Sequence, residues 1–255
     1  MTEIHPSEGC VLLSGAGSGL GRAMAMAFAE RGFRVVGLGR SEAALQETAG
    51  LCAPGLFVAR PCDVAELSTL STVVAGIWQE HGPVAVLVNN AAIYPRRDFL
   101  DETPESFAQT VSVNLLGVAG LSNAVLKQMA TVGTGRILNV ATFADMNPLP
   151  SAAAYSVSKG AARILTRAMI ADLGDRFPGI VIGDWMPGML ATDMGIPDGL
   201  DPAVSAQWGV TLALKRDPLL NGAVFEMNRE ILPPRGLKGK VKDLLTFNRP
   251  RPRML

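Results

Sequence analysis

Short apolar runs and helical apolar spacings alternate along most of this chain. Residues 10–14 form an apolar run that ends at a glycine turn, a pattern typical of a buried strand. Apolar residues then recur every three or four positions over residues 20–28, as on one face of a helix, and Gly32 follows as a stop signal. The first thirty residues therefore predict a strand, a tight turn and a helix.

The same alternation continues through the rest of the chain up to about residue 230. Further strands are predicted at residues 34–38, 56–59, 84–88, 136–140, 180–184 and 223–227, and helices at 41–49, 65–81, from about 104, at 111–130 and at 152–172. Strands that alternate with helices pair in parallel through right-handed crossovers. The pattern predicts an α/β fold, a doubly wound, seven-stranded parallel sheet with helices on both faces. We expect a single domain at residues 1–233, followed by a basic, proline-containing C-terminal segment at 234–255.

Composition narrows the classes of function. The 255 residues, 48% of them hydrophobic, can bury a sizeable core. Lys+Arg and Asp+Glu balance at 23 each, so the net charge gives no reason to expect a nucleic-acid partner. The three cysteines have no Cys-x-x-Cys spacing and no histidine cluster beside them, which predicts free thiols in a reducing compartment and no metal. Residues 1–9 are unlike a signal peptide and no apolar stretch reaches about 18 residues, so we expect a cytoplasmic protein without membrane contact.

The segment 234–255 has a different composition from the rest. It carries seven Arg and Lys residues against one acid, Asp243. Such a segment fits a solvated terminus, or alternatively an arm that contacts an anion or a neighbouring subunit. Nucleic-acid binding through this segment would give a steeply salt-dependent affinity.

A glycine-rich turn follows the first predicted strand, with the sequence Ser14-Gly-Ala-Gly-Ser-Gly-Leu-Gly21. Glycines let the backbone turn tightly and approach a phosphate, and the next helix offers unpaired N–H groups at its positive end. Because the turn joins a predicted strand to a predicted helix, it is a candidate dinucleotide site. The expected contacts are Gly15, Gly17, Ser18, Gly19, Leu20 and Gly21.

The end of the second predicted strand bears on the choice of cofactor. An acidic residue there binds the adenosine ribose and repels a 2′-phosphate, whereas a guanidinium can bind that phosphate. This chain reads Gly37-Leu-Gly-Arg-Ser41, and its first acid is Glu42. Arg40 therefore favours NADP(H) over NAD(H); the alternative is an ordinary surface arginine.

A tyrosine and a lysine four residues apart, Tyr155 and Lys159, lie in the predicted helix 152–172. Residues at this spacing share one face of a helix. A phenol has a pKa of about 10, and a neighbouring ammonium lowers that pKa toward working pH. The pair can therefore move a proton beside a hydride transfer. The alternative is a half-exposed surface pair.

These motifs, in this order, resemble the short-chain dehydrogenase/reductase family over about residues 9–230. The matching segments are Ser14 to Gly21, Asp63-Val64 at the family's adenine-contacting acidic position, Asn89-Asn-Ala-Ala92, Asn114, the Tyr155/Lys159 pair, and Pro187-Gly188 with Thr192. Ser14 replaces the family's threonine and Ala92 replaces its glycine.

The resemblance implies a Rossmann-type oxidoreductase that interconverts a small carbonyl compound and an alcohol. Tyr155 would be the acid/base, Lys159 its activator and ribose ligand, and Asn114 the anchor of a water relay. The implied cofactor contacts add Arg40, Asp63, Val64, Asn90, Ala91, Tyr155, Lys159, Pro187, Gly188 and Thr192 to those of the glycine turn. A homodimer or homotetramer is expected.

Two departures from the family pattern leave an alternative open. Thr142 stands where the family has a catalytic serine; its hydroxyl can still donate to a substrate oxygen, although its methyl group adds bulk. The last strand lacks the family's Asp-Gly-Gly ending, in a region that commonly forms a subunit contact. The alternative to an enzyme is a dinucleotide-binding sensor or scaffold with weak catalysis.

The substrate loop is expected at about residues 189–205. Methionines at 146, 186, 189 and 194 would line an adaptable apolar pocket there, or alternatively fill the core. Arg96 and Arg97 would meet an acidic substrate group, or alternatively face solvent.

Overall fold

The computed structural model describes residues 2–232 and 251–255, which are built around one large β-sheet. The strands are β1 (Thr2–Glu3), β2 (Cys10–Ser14), β3 (Val35–Gly39), β4 (Phe57–Pro61), β5 (Val84–Asn89), β6 (Gly135–Val140), β7 (Ile180–Met186), β8 (Lys215–Arg216), β9 (Val224–Glu226) and β10 (Arg229–Ile231). The α-helices are α1 (Gly19–Glu30), α2 (Glu42–Leu51), α3 (Leu67–His81), α4 (Pro104–Val111), α5 (Gly117–Val132), α6 (Ala153–Leu173) and α7 (Pro202–Leu214).

The large sheet has the strand order β10-β9-β7-β6-β5-β2-β3-β4. The seven strands from β9 to β4 pair in parallel, as the sequence predicts. The eighth strand, β10, was not predicted and runs antiparallel to β9. Met227 and Asn228 form the two-residue hairpin turn between them, and Met227 has a positive φ of 51°. The sheet is therefore a doubly wound parallel sheet with one antiparallel edge.

The position of β2 fixes where a ligand can bind. β2 lies between β3 and β5. Strands β3 and β4 lie on one side of it, and strands β5, β6, β7 and β9 lie on the other side. A crevice opens at the carboxyl ends of the strands where the strand order reverses in this way. The glycine turn after β2 and the loops after β5, β6 and β7 all reach this edge of the sheet.

Two hydrophobic layers cover the sheet, because successive strand residues point to opposite faces. Val11 and Leu13 pack with α1, α2 and α7 on one face. Leu12 packs with α3 and α5 on the other face, where partly buried residues of α6 join the same layer. Helices on both faces are the layer arrangement that the sequence predicts.

Two helical features differ from the expectation. α7 was not predicted; it begins at Pro202, where Asp201 accepts a hydrogen bond from the Ala203 amide at 2.8 Å. The last residues of the predicted substrate loop, 202–205, therefore lie in the first turn of α7. The two helices expected from about 104 and over 111–130 form one continuous helix through a π-helical turn at Ser112–Leu116.

This continuous helix, Pro104–Val132, is long and apolar enough to cross a membrane if only length and composition are considered. Its buried apolar side chains, including Leu121 and Val125, belong to the hydrophobic layer that it shares with α3. Core helices of globular proteins meet the same two criteria, so the helix gives no indication of a membrane span.

Residues 234–250, most of the predicted basic segment, lie outside the described residues, as does residue 233. Residues 251–255 extend the edge of the sheet: the Glu230 amide donates to the Arg253 carbonyl, and the Leu255 amide donates to the Asn228 carbonyl, both at 3.0 Å. The Arg253 guanidinium also bonds both carboxylate oxygens of Glu230. The last residues of the chain therefore pair with β10 of the same chain.

Candidate active site

The glycine turn brings backbone N–H groups to the crevice. Gly15 and Gly19 have φ values of +70° and +48°, which favour glycine, and α1 begins at Gly19. A Cβ atom on Gly21 would lie 1.9 Å from the Gly15 carbonyl oxygen, so only glycine lets the helix approach the turn this closely. The N-terminus of α1 thereby faces a cradle suited to a pyrophosphate.

Ser14 and Asn90 hold this turn against the loop that follows β5. The Ser14 hydroxyl accepts hydrogen bonds from the backbone amides of Asn90 and Ala91, at 3.0 and 3.1 Å. In return, the Asn90 side-chain amide donates to the carbonyls of Ser14 and Gly15, at 3.0 and 3.2 Å. Serine in place of the family's threonine retains the hydroxyl that these bonds require.

A cleft of about 1110 Å³ runs along the carboxyl ends of the strands. Every expected cofactor contact lines it: Gly15, Gly17, Ser18, Gly19, Leu20, Gly21, Arg40, Asp63, Val64, Asn90, Ala91, Tyr155, Lys159, Pro187, Gly188 and Thr192. The cleft thus joins the glycine turn to the Tyr/Lys pair, and its glycine cradle fits a dinucleotide.

The end of the cleft beside β3 and β4 carries charges of both signs. Arg40 follows β3 directly and is exposed at the cleft. Asp63 follows β4 and accepts a hydrogen bond from the Ala65 amide at 2.9 Å, which fixes its carboxylate in a turn. Among the residues that the structure describes, no acidic side chain directly follows β3, where one would select against a 2′-phosphate.

The Tyr/Lys pair lies on the face of α6 that borders the cleft. Lys159 is 4% exposed, and its Nζ donates a hydrogen bond to the Val140 carbonyl at 2.8 Å. Burial lowers the pKa of this ammonium to about 8, against the opposing attraction of Asp184. Thr142 also lines the cleft, and its hydroxyl caps the short helical turn after β6 by accepting from the Ala144 amide at 3.2 Å.

The pKa of Tyr155 differs from the expectation. Burial raises the pKa of the phenol, and a hydrogen bond from Thr142 partly offsets that rise. Tyr94 and Asp145 raise it further. The expected lowering by Lys159 is not seen, since desolvation of the phenol is the larger effect and the ammonium is directed at Val140. The close partner of the phenol is therefore Thr142.

Asn114 lies behind the cleft wall and does not line it. It is fully buried in the π-helical turn, a feature that often marks functional sites. Its side chain accepts from the Ile93 amide at 2.8 Å and donates to the Ile93 carbonyl at 2.9 Å and to Ser158 Oγ at 3.1 Å. Asn114 thus ties the loop after β5 to α6, and its role in a water relay stays a prediction.

Tyr94 is a site residue that the sequence did not single out. Its ring stacks on that of Tyr155, with centroids 4.4 Å apart and an interplanar angle of 25°. The Arg96 guanidinium lies over the Tyr94 ring at 5.6 Å and donates to the Gly195 carbonyl in the substrate loop at 3.0 Å. Tyr94 and Arg96 therefore link the loop after β5 to the predicted substrate loop.

The other expected substrate residues divide between the cleft and the surface. Met186, Met189 and Met194 line the cleft, whereas Met146 is exposed outside it. Arg97 pairs with Glu102 at 2.9 Å, while its neighbour Arg96 lines the cleft.

The cysteine and acidic side chains of the described residues form no metal site. Cys10, Cys52 and Cys62 are free thiols. Over residues 2–232 and 251–255, no group of three or more His, Cys, Asp or Glu side chains is placed to hold a metal ion.

The chain is similar in sequence to known dehydrogenases and reductases. A family model described as short chain dehydrogenase matches residues 9–201. D-erythrulose reductase of Gallus gallus is 34% identical over 198 residues, which is 76% of each chain. Carbonyl reductase [NADPH] 2 of Sus scrofa is 34% identical over 196 residues, 76% of this chain and 77% of that protein. The probable oxidoreductase EphD of Mycobacterium tuberculosis is 34% identical over 187 residues, 72% of this chain but only 31% of that longer protein.

Proposed function

The chain belongs to the short-chain dehydrogenase/reductase family, and from that premise we propose that it is an NADP(H)-dependent oxidoreductase that interconverts a carbonyl compound and an alcohol. One observation carries the proposal: Tyr155, Thr142 and Lys159 meet in a cleft that is continuous with the glycine turn. A proton donor, a hydrogen-bond donor and a buried cation beside a dinucleotide cradle are the groups that carbonyl reduction requires.

Tyr155 and Thr142 act on the carbonyl oxygen. NADPH, when bound, supplies the hydride for the carbonyl carbon. Tyr155 donates its proton to the developing alkoxide, and a phenol with a raised pKa remains protonated at neutral pH. Thr142 donates a hydrogen bond to the phenol oxygen or to the substrate oxygen, so it can stabilise negative charge on either one. In the reverse direction Tyr155 takes the proton from the alcohol.

Lys159 supplies positive charge and a hydrogen-bond donor to the same cleft as the phenol. Its ammonium is held at the end of β6 by the Val140 carbonyl, which leaves its other N–H groups for a nicotinamide ribose and for the proton path. Pro187, Gly188 and Thr192 would flank the nicotinamide from the loop after β7. Asn114 would act through the backbone and Ser158, because its own side-chain donors are already bonded.

Arg40 supports the choice of NADP(H). Its side chain follows β3 and lines the cleft, and a charge-assisted hydrogen bond from a guanidinium to a 2′-phosphate would favour the phosphorylated cofactor. One similar protein is named as an NADPH carbonyl reductase, which agrees with this choice. The proposed substrates are small carbonyl and alcohol compounds that enter beside Met189 and Met194.

The proposed assembly is a homodimer or homotetramer of a cytoplasmic enzyme. Val157 and Ile164, seven residues apart on α6, are 55% and 60% exposed and form an apolar stripe that a second subunit can cover. Sedimentation equilibrium measures the assembly directly, and a monomer mass would contradict this part of the proposal. Cell fractionation tests the location in the same way.

Substitution of the phenol tests the activity. We expect the enzyme to oxidise NADPH in the presence of small ketoses such as D-erythrulose and L-xylulose, which are named for similar proteins. Tyr155→Phe should lower kcat by about 10²- to 10⁴-fold while NADPH affinity by fluorescence titration stays near that of the wild type. Thr142→Ala removes the hydroxyl, and its matched control Thr142→Ser keeps it. The difference in kcat between these two variants in the same assay measures the contribution of the hydroxyl.

Two outcomes would count against this function. Full turnover by Tyr155→Phe would remove the phenol from the mechanism. NADPH binding with no turnover across a broad panel of ketones and alcohols would favour the alternative, a dinucleotide-binding sensor of the same fold.

A further inference from the structure

Three polar side chains lie side by side on neighbouring strands under α6. Asn89, Asn139 and Asp184 occupy the same level of β5, β6 and β7. Asn89 donates to Asn139 at 2.8 Å, Asn139 donates to Thr166 at 2.9 Å, and the Thr166 hydroxyl donates to Asp184 at 2.7 Å. This polar row ends in the Asp184 carboxylate, and Asp184 is 4% exposed.

Lys159 lies on α6 and Asp184 lies on β7, and the packing of α6 on β6 and β7 brings the two residues to the same region. Lys159 and Thr166 are seven residues apart and share one face of α6, and Thr166 bonds Asp184 directly. The Lys159 amine bonds the Val140 carbonyl, and Val140 is the register partner of Trp185, the residue after Asp184. A buried cation and a buried anion thus lie within electrostatic reach on the same face of the sheet.

Three arginines also carry positive charge near Asp184, and their electrostatic attraction reaches the carboxylate or is reached by it. Arg163 of α6 pairs with Asp145 at 2.7 Å. The Arg136 guanidinium, from β6, is held by the carbonyls of Ile137 and Val181 at 2.8 and 3.1 Å. Arg167 of α6 contributes a weaker attraction than Arg163 does. Among the charged groups around Asp184, Lys159 is the one that also borders the cleft.

We propose that Asp184 is the counter-ion of Lys159, a positioning residue whose negative charge keeps the buried amine protonated and in place beneath Tyr155. The importance of that charge for turnover rests on the proposed function, whereas the electrostatic coupling itself does not. The sequence signal is a lone acid, Asp184, in the otherwise apolar run of β7.

The pKa values of the two groups define the range in which both are charged. Burial raises the pKa of Asp184 to about 6, so its carboxylate is ionised above that pH. Burial lowers the pKa of Lys159 to about 8, and the attraction of Asp184 opposes that fall. Between these values the cation and the anion coexist. Neutralising Asp184 should let the Lys159 amine lose its proton at a lower pH.

Two matched variants separate charge from structure. Asp184→Asn removes the charge but keeps an oxygen that can accept from Thr166. Thr166→Val removes the hydrogen bonds of Thr166 with Asn139 and Asp184 but keeps the carboxyl group. The loss of its hydrogen bond raises the pKa of Asp184, so the comparison is made at the alkaline pH where Lys159 titrates and the carboxylate is ionised. The readout is the Lys159 pKa, from the ¹³Cε NMR signal that disappears in Lys159→Met, measured on the protein without added cofactor.

Asp184→Asn should lower the Lys159 pKa by about one unit or more, and Thr166→Val should leave it near the wild-type value. An unchanged Lys159 pKa in Asp184→Asn would overturn the proposal and leave Asp184 a structural residue. In the wild type, the Lys159 signal should also show a second inflection near the pKa of Asp184, about 6. Its absence would overturn the proposal even where Asp184→Asn does not fold.

The alkaline limb of the kcat/KM profile should move to lower pH in Asp184→Asn by the same shift. A limb that stays in place while the NMR pKa moves would overturn the claim that the charge serves turnover. A wild type without turnover, but with a coupled Lys159 signal, would refute the proposed function and leave the ion pair standing.

Discussion

Arg40 and Arg34 stand at opposite ends of β3, and Arg40 is the one at the cleft. Replacing Arg40 by Asp puts an acid where it would bind ribose hydroxyls and repel a 2′-phosphate. The ratio of NADPH to NADH affinities should fall by at least about 10-fold, since a hydrogen bond to a charged group contributes about 1.5–3 kcal/mol. Fluorescence titration with both cofactors measures the ratio.

Arg34→Asp is the matched control for Arg40→Asp, because it makes the same charge change at the far end of the same strand. Its cofactor ratio should stay at the wild-type value. An equal fall in both variants would show a general charge effect, and an unchanged ratio in Arg40→Asp would dismiss Arg40 as the selector.

At the residue scale, the sequence identified side chains whose chemistry depends on local spacing. Tyr155 and Lys159 are one helical turn apart, so their shared face could be predicted. Tyr94 and Asp184 could not be predicted in the same way, because each gains its role from contact with a distant segment: Tyr94 with Tyr155, and Asp184 with Thr166. Burial, too, depends on the folded structure, which is why the raised pKa of Tyr155 differs from the expected lowering.

Two glycines in neighbouring helices test what the glycine turn requires. A Cβ on Gly21 of α1 would lie 1.9 Å from the Gly15 oxygen, whereas a Cβ on Gly50 of α2 would meet nothing within 4 Å. Gly21→Ala should therefore push α1 off the turn, weaken NADPH binding by more than about 10-fold and cost about 1–3 kcal/mol of stability. Gly50→Ala should leave binding unchanged and add up to about 1 kcal/mol.

Urea unfolding and NADPH titration of both alanine variants measure these effects. Wild-type NADPH affinity in Gly21→Ala would mean that the close approach of helix and turn is not needed for the site. A loss of binding in Gly50→Ala would point instead to a general sensitivity of the helices beside β3.

At the element scale, periodicity predicted the elements that have one apolar face. The strands β2 to β7 and β9 and the helices α1 to α6 lie close to their predicted ranges, whereas the two-residue strands β1 and β8 were not predicted. α7 was missed because its sequence, Pro-Ala-Val-Ser-Ala-Gln-Trp-Gly-Val-Thr-Leu-Ala-Leu, is apolar on nearly all sides and gives no helical repeat. Most of its residues are buried against α1 and the sheet, which explains that composition.

At the scale of the whole molecule, the chain's last residues complete the sheet. An edge strand exposes unpaired N–H and C=O groups that invite association with other chains. Here residues 253–255 satisfy part of the edge of β10, and Leu255 packs against the core layer that includes α1 and α7. The sequence predicted only a basic segment here, because the pairing partner, Glu230, lies more than twenty residues upstream.

The ion pair between Arg253 and Glu230 should make this closure depend on pH. Glu230 is 8% exposed, and hydrogen bonds from Arg253 hold the pKa of its carboxyl below the usual value. A carboxyl with a lowered folded-state pKa contributes stability above its unfolded pKa, about 4.3, and that contribution is lost as the pH falls through the folded value. Arg253→Gln should therefore cost about 1–3 kcal/mol at neutral pH, with the difference from wild type shrinking below about pH 4.

Urea unfolding at neutral pH and below about pH 4 measures the difference in stability between Arg253→Gln and the wild type. Arg251→Gln serves as the control because Arg251 is exposed. A loss of stability in Arg253→Gln that is the same at neutral and acid pH would show that the side chain contributes packing alone. Equal losses in the two variants would show that net charge, rather than closure of the β10 edge, sets the effect.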